Sequence, residues 1–338
     1  MNKLLLIPVF TSALLLACQQ NKPQELPQLK GTLGGALIKM IEESRELAQR
    51  EPTQQDMLVS AVRDGRENEV KHLIASGVDV NATDRWGDTA LSEAAKRDNH
   101  EMLQIILSSG AEVNKGNPLL SAVCSEKAET VRLLLKHGAD VNQMTDNRVL
   151  GTPLIQAADD GNLEILRDLL AAGARLDARR KSGETALIAA TKQQHTEIVE
   201  ELLRAGADVQ LADNWNKTAL WYAASKGDLK MAEILLGAGA GLNTVSTDQE
   251  SILHVAATHA ESVEMVQLLL RHGAERKLNP DAVYPYLHPD CAYEVPSDAL
   301  LDALEAAGFD HGVSREQTEK QRLEQQLQEI KRLYPHLP

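Results

Sequence analysis

From residue 56 to about residue 275 the chain alternates short apolar runs with polar turns at a nearly constant interval. Each unit opens on a small polar residue: Asp56, Thr89, Asn117, Thr152, Thr185, Thr218 and Ser251. Four of the six intervals between them are 33 residues, and the other two are 28 and 35. A side-chain oxygen at such a position can accept the free N–H groups that open a helix, and Pro118 and Pro153 follow where a missing N–H costs nothing. Alanine pairs come next, at Ala94-Ala95, Ala157-Ala158, Ala189-Ala190, Ala223-Ala224 and Ala256-Ala257, small enough for helices to approach closely. After a polar turn a second apolar run carries leucine pairs, at Leu134-Leu135, Leu169-Leu170, Leu202-Leu203 and Leu235-Leu236. Gly110, Gly138, Gly173, Gly206, Gly239 and Gly273 close these runs, a position that wants left-handed backbone. The spacing predicts two short helices per unit, seven times over. It makes one array of a chain whose 338 residues would otherwise suit two ordinary domains.

These residues closely resemble ankyrin repeats, whose period is about 33 residues and whose signature is T-P-L-H-x-A. The resemblance covers Asp56 to Asn279. It implies an all-α ankyrin-repeat solenoid of helix-turn-helix units with short β-hairpin fingers, capped by helices at both ends. The second hairpin, near Asn114 to Asn117, is five residues short; the third, Gln143 to Leu150, is two long; and the turn around His259 to Ser262 holds one extra residue.

The flanks read differently. Leu4 to Ala17 is an uncharged run of fourteen residues after Lys3, too short for a bilayer span of roughly 20. A basic start, a short apolar centre and small residues at the end are the parts of a removable export signal. The residues Leu15-Leu16-Ala17-Cys18 resemble the lipobox of bacterial lipoproteins. That resemblance implies a lipidated Cys18 at the mature N-terminus, and Gln19 rather than Asp implies sorting to the outer membrane with the repeats in the periplasm. Multiple acyl chains are what stable anchoring needs. The other reading of these residues is an ordinary signal with an incidental cysteine. The chain then divides into residues 1–17 (signal peptide), 18–32 (lipidated cysteine and tether), 33–55 (N-terminal capping helix), 56–279 (seven repeats), 280–312 (degenerate eighth repeat or C-terminal cap) and 313–338 (C-terminal helix). The last helix carries Leu323, Leu327 and Ile330 on one face, to pack on the final repeat or to dimerise; a monomer is expected.

Composition narrows the chemistry. Aromatic residues make up 3% of the chain, so the core is built from small side chains that suit thin stacked helices. A formal net charge of −14 repels phosphate backbones and excludes nucleic acid as the expected partner. Catalytic and phosphate-binding signatures are missing, and His100, His137, His195, His254 and His272 all fall at repeat positions. No enzyme activity, metal or cofactor is expected, although the stretch around His288, Asp290 and Cys291 is not explained by the repeats. Asp159-Asp160 is read as a solvated turn. Cys124 and Cys291 lie about four repeats apart, roughly 40 Å for helices spaced ~8–10 Å, beyond the ~7 Å reach of a disulfide. Both are expected to be buried in the core.

The resemblance implies a protein partner on a concave face of first helices and hairpin tips. Candidate partner-binding residues are Trp86 and Trp215 at tips, Tyr222 on a first helix, and the basic island of Arg179, Arg180 and Lys181, which could meet an acidic patch on the partner. Packing along the neighbouring hairpin is the alternative for the tip tryptophans, solvation for the basic residues, and inter-repeat packing is expected for Trp221. Two jobs fit a tethered ankyrin protein in the periplasm. One is that of immunity proteins that sequester a secreted, lipase-type toxin; the other is a scaffold supporting an oxidative-stress enzyme such as catalase, or envelope assembly.

Overall fold

The computed structural model describes residues 51–274, apart from Asp98, residues 145–149 and residues 259–261. The described residues form seven pairs of helices: α1 (Gln54–Arg63) and α2 (Glu67–Ala75), α3 (Ala90–Arg97) and α4 (His100–Ser108), α5 (Pro118–Cys124) and α6 (Ala128–Lys136), α7 (Pro153–Asp160) and α8 (Leu163–Ala171), α9 (Ala186–Lys192) and α10 (Thr196–Arg204), α11 (Ala219–Lys226) and α12 (Leu229–Gly237), α13 (Ile252–Thr258) and α14 (Val263–Arg271). The expected all-α solenoid is the observed one. The signal, Cys18, the tether, the N-terminal capping helix up to residue 50, the C-terminal segments and Cys291 lie outside the described residues, as do most of the long third hairpin and the turn before Ser262.

Helix starts follow from the capping chemistry. Thr152, Thr185 and Thr218 stand in extended backbone, and their hydroxyls accept the N–H groups of Ile155, Ile188 and Trp221. Thr89 and Ser251 do the same for Ser92 and His254 at 3.1 Å. Two expected openings differ. Thr53, not Asp56, caps α1; Asp56 sits one turn in and completes a capping box, its Oδ2 accepting from the Thr53 N–H at 2.7 Å. Asn117 makes no side-chain cap and is left-handed at φ 53. The shortened finger before it explains this: Gly116 (φ 77) and Asn117 must turn the chain together. Gly116 lies so close to Thr89 that a Cβ there would come within 2.7 Å of its Oγ1. At the other end of the units, the helix-closing glycines all have positive φ, from 84 to 95.

Packing gives the array its curvature. The alanine pairs of α3, α7, α9 and α11 are essentially inaccessible, as are Leu134, Leu169, Leu202 and Leu235; the leucine after each of these is only partly buried. Truncating one of the enclosed leucines to Ala would cost about 2–5 kcal/mol. Successive first helices pack on one another more closely than successive second helices do. Closer spacing on one side curls the stack, with the first helices on its inner face.

The fingers between units hold single bridges, Thr83 with Thr89, Ala212 with Thr218 and Val245 with Ser251, and no strand occurs among the described residues. A side-chain ladder links each unit to the next. Asn81 accepts from the Glu112 N–H at 2.7 Å and donates to the Gly110 carbonyl at 3.1 Å. Asn142 accepts from Arg175 N–H at 2.8 Å and Asp177 from Asp208 N–H at 3.0 Å. Gln210 accepts from Gly241 N–H at 3.0 Å and donates to the Gly239 carbonyl at 2.6 Å. Backbone groups left over at the units' ends are thereby satisfied across the stack.

Candidate functional site

Asp213 organises the finger that carries Trp215. Its carboxylate is 4% exposed. Oδ1 accepts the N–H groups of Trp215 and Lys217, both at 2.9 Å, and Oδ2 accepts the Tyr222 hydroxyl at 2.5 Å. Burial, and then this bond to a carboxylate, push the phenol well above its ordinary pKa, so it stays a donor. Tyr222 is partly buried, edge-on to Trp221 at 5.2 Å between centroids, with the Lys192 ammonium 5.2 Å from its ring. It therefore props the finger from the inner face. Trp221 is 4% exposed and packs between units, as expected.

Trp215 itself is 42% exposed. Its finger is fastened on both sides. On one, Asn214 donates from its backbone to the Ser182 carbonyl at 3.0 Å and from Nδ2 to the Lys181 carbonyl at 2.9 Å. On the other, Thr247 N–H donates to the Trp215 carbonyl at 2.9 Å and Asn216 Nδ2 to the Val245 carbonyl at 2.7 Å. Gly183 (φ 84) allows the first contact, because a Cβ there would come within 2.7 Å of the Asn214 nitrogen.

The basic island divides into three different roles. Arg180 is drawn inward: it pairs with Asp159 at 2.9 Å and with Glu184, a carboxylate only 3% exposed that also holds Lys192. Arg179 spends its guanidinium on the carbonyls of Gly183 and Ala212. Lys181 is exposed, as Arg179 is, and its ammonium makes neither an ion pair nor a hydrogen bond to a carbonyl among the described residues. Asp159 and Asp160 lie in the last turn of α7 and not in the turn after it, and Asp160 alone keeps the expected exposure. Both close α7, where Asp159 is the counter-ion of Arg180 and Asp160 accepts from the Gln156 amide at 2.9 Å. Partial desolvation of this exposed residue raises the Asp160 carboxyl above the usual range.

Trp86 caps an earlier finger and is 64% exposed. Here the ring is taken: the guanidinium carbons of Arg63 and Arg85 lie 5.8 and 5.4 Å from its centroid. Asp56 holds Arg85 at 2.8 Å, and the buried Glu93 holds Arg63 at 3.1 Å. Cys124 corrects another expectation. It is exposed rather than buried, standing at the last residue of α5 beyond the enclosed Ala122 and Val123. Partial desolvation, and then the Asp160 carboxylate, push its thiol up to about 11, so it is not a thiolate nucleophile at neutral pH. No three His, Cys, Asp or Glu side chains converge as metal ligands, and no helix is long and apolar enough to cross a membrane, among the described residues.

Three segments, residues 58–145, 154–248 and 209–280, match the model of ankyrin repeats in sets of three copies. The chain belongs to the ankyrin repeat family. It is similar to YahD of Escherichia coli K12, described as an ankyrin repeat protein, at 33% identity over 116 residues, which is 33% of this chain and 57% of that one. It also matches the mitochondrial disaggregase of Bos taurus at 31% identity, over 41% of this chain and 21% of that protein. The chain thus spans little more than half of one relative and about a fifth of the other. The crystal structure of the human ASB11 ankyrin repeat domain superposes with a TM-score of 0.54 at 30% identity, over 64% of this chain and 98% of that chain. Ankyrin repeats generally mediate protein–protein binding and typically act as scaffolds without catalysis. In this ankyrin array the DRWGD and DNWNK motifs signal two aspartate-braced turns. Sequence reasoning missed Asp213, Asn214, Val245 and the Asp159–Arg180–Glu184 chain, whose roles depend on which side chains the folded fingers and helices bring together.

Proposed function

We propose that this ankyrin array is a non-enzymatic, membrane-tethered binding protein of the bacterial periplasm, and that it sequesters a secreted, lipase-type toxin in the manner of an immunity protein. One observation carries the binding surface: Trp215 is exposed on a finger whose backbone is already fastened to both neighbours. An aromatic anchor ordered before the partner arrives loses little further entropy on binding, which favours tight, preformed recognition. Much of the charge on the inner face is paired internally, which leaves the fingertips as the place where a partner gains most. The tether rests on the lipobox resemblance at Cys18, and lipidation there would station the array where an incoming toxin attacks a membrane.

The test labels cells with radioactive palmitate and challenges them with a toxin-delivering competitor. Wild-type chain should take up label and protect the cell, whereas Cys18→Ser should do neither. A labelled Cys18→Ser chain would overturn the tether, and equal survival with and without the wild-type chain would overturn the immunity role.

A further inference from the structure

We infer that the fingertip row of Lys181, Trp215, Val245 and Asp248 reads an extended partner segment by its polarity. The row takes a carboxylate at Lys181, a bulky apolar side chain across Trp215 and Val245, and a cation toward Asp248. This deepens the protein-binding reading above and rests on it.

The three tryptophans are not equivalent. Trp86 already has two guanidinium groups on its ring, and Trp221 is 4% exposed with the Lys217 ammonium 4.1 Å from its centroid. Trp215, 42% exposed, makes no ring contact among the described residues. The next finger brings Val245, itself 40% exposed, alongside through the Asn216 and Thr247 hydrogen bonds. An indole and an isopropyl group open to water on adjacent locked fingers form a small apolar platform.

The platform has charged ends of opposite sign. On one side the Lys181 backbone carbonyl accepts from the Asn214 side chain, and its ammonium makes no ion pair among the described residues of a chain of net charge −14. On the other, the Asp248 side chain is 62% exposed and meets only Lys217, at 3.3 Å. The Lys217 side chain is 17% exposed and also faces Glu250 at 3.8 Å, so Asp248 shares that cation and keeps most of its carboxylate open to a partner cation. Charge at the rim sets orientation and partner choice, and the aromatic centre supplies the holding energy. A bare anion or a phosphate backbone would leave the apolar platform unused; the arrangement fits a peptide segment whose order is acidic, apolar, basic.

The test pans short random peptides displayed on phage against the full chain in detergent micelles, then compares three variants that melt like wild type. Enriched peptides should place Asp or Glu beside a large apolar residue with Lys or Arg beyond it. They should bind Trp215→Ala/Val245→Ser about tenfold or more weakly, and Lys181→Glu should select Lys or Arg in place of the acid. Lys226→Glu, on the inner face away from the tips, should change nothing. Peptides that bind the double variant undiminished, or that lack this order, overturn the inference. If those peptides instead fail on Lys226→Glu, protein binding survives on the inner face and only the fingertip inference falls. A library that yields no binder counts against both. Should the double variant not fold, the switch of preference at Lys181→Glu decides alone.

Discussion

The hydroxyl of Tyr222 and the carboxylate of Asp213 meet at 2.5 Å, joining a first helix to the finger that precedes it. The same carboxylate holds the backbone of Trp215 and Lys217 through its other oxygen. A residue that the sequence offers as a partner contact thus acts by positioning another.

Tyr222→Phe removes only that hydroxyl and leaves Asp213 Oδ2 buried without its donor. The expected loss is about 1–2 kcal/mol in urea denaturation. Faster amide exchange at Trp215 and Lys217 should accompany it. Unchanged exchange there would mean the finger holds itself.

Arg180 and Lys181 are adjacent in sequence and opposite in role. Arg180→Ala strands Asp159 and leaves the enclosed Glu184 with Lys192 as its remaining cation, and should cost about 2–4 kcal/mol. Lys181→Ala should change stability by less than about 0.5 kcal/mol while weakening partner binding. Equal effects of the two on melting would contradict this division.

Gly183 and Gly206 both have positive φ, 84 and 95, but different neighbours. Nothing lies near a Cβ at Gly206, so Gly206→Ala pays for backbone conformation alone, about 1 kcal/mol. At Gly183 the added carbon also meets the Asn214 backbone, and the cost should reach about 2–4 kcal/mol as the two fingers are forced apart. Similar melting temperatures for the two variants would argue against the close approach.

Acid should loosen the array. The Arg85 hydrogen bond holds the Asp56 carboxyl far below its ordinary range. Burial opposes ionisation of Glu93 and Glu184, yet Arg63 with Lys96 and Lys192 with Arg180 outweigh it, so both are also depressed. A depressed carboxylate contributes stability above its unfolded pKa of about 4 and loses it as pH falls through the folded value. The raised Asp160 has the opposite sign and is outnumbered. The urea midpoint should therefore drop as pH falls below about 5 and keep dropping below about pH 3, where Asp56 is protonated, and Arg85→Ala should flatten part of the drop. A midpoint independent of pH would show these pairs contribute nothing net.

What periodicity can reach, it reached. A repeated small polar residue, alanine pair, leucine pair and glycine set each helix and its buried face, and Thr152, Thr185 and Thr218 cap as their chemistry demands. Asn117 departed because a shortened finger forces left-handed backbone, and Asp56 because Thr53 caps one turn earlier. The site was less legible. The composition of Arg179-Arg180-Lys181 does not say that Asp159, on α7 of the same unit, claims the middle residue, or that carbonyls claim the first. The apolar character of the Cys124 thiol does not reveal that the last residue of α5 is exposed. Such pairings depend on side-chain reach, which repeat spacing alone does not encode.

A partner protein held at the fingertips should be captured from Trp215. A photo-crosslinking amino acid placed at position 215 in the full chain, in living cells, tests it most directly against one at the exposed position 200 on α10 of the outer layer. A discrete protein adduct is expected at 215, lost when Lys181 is changed to Glu, and none at 200. Adducts at 200 with none at 215 would contradict it.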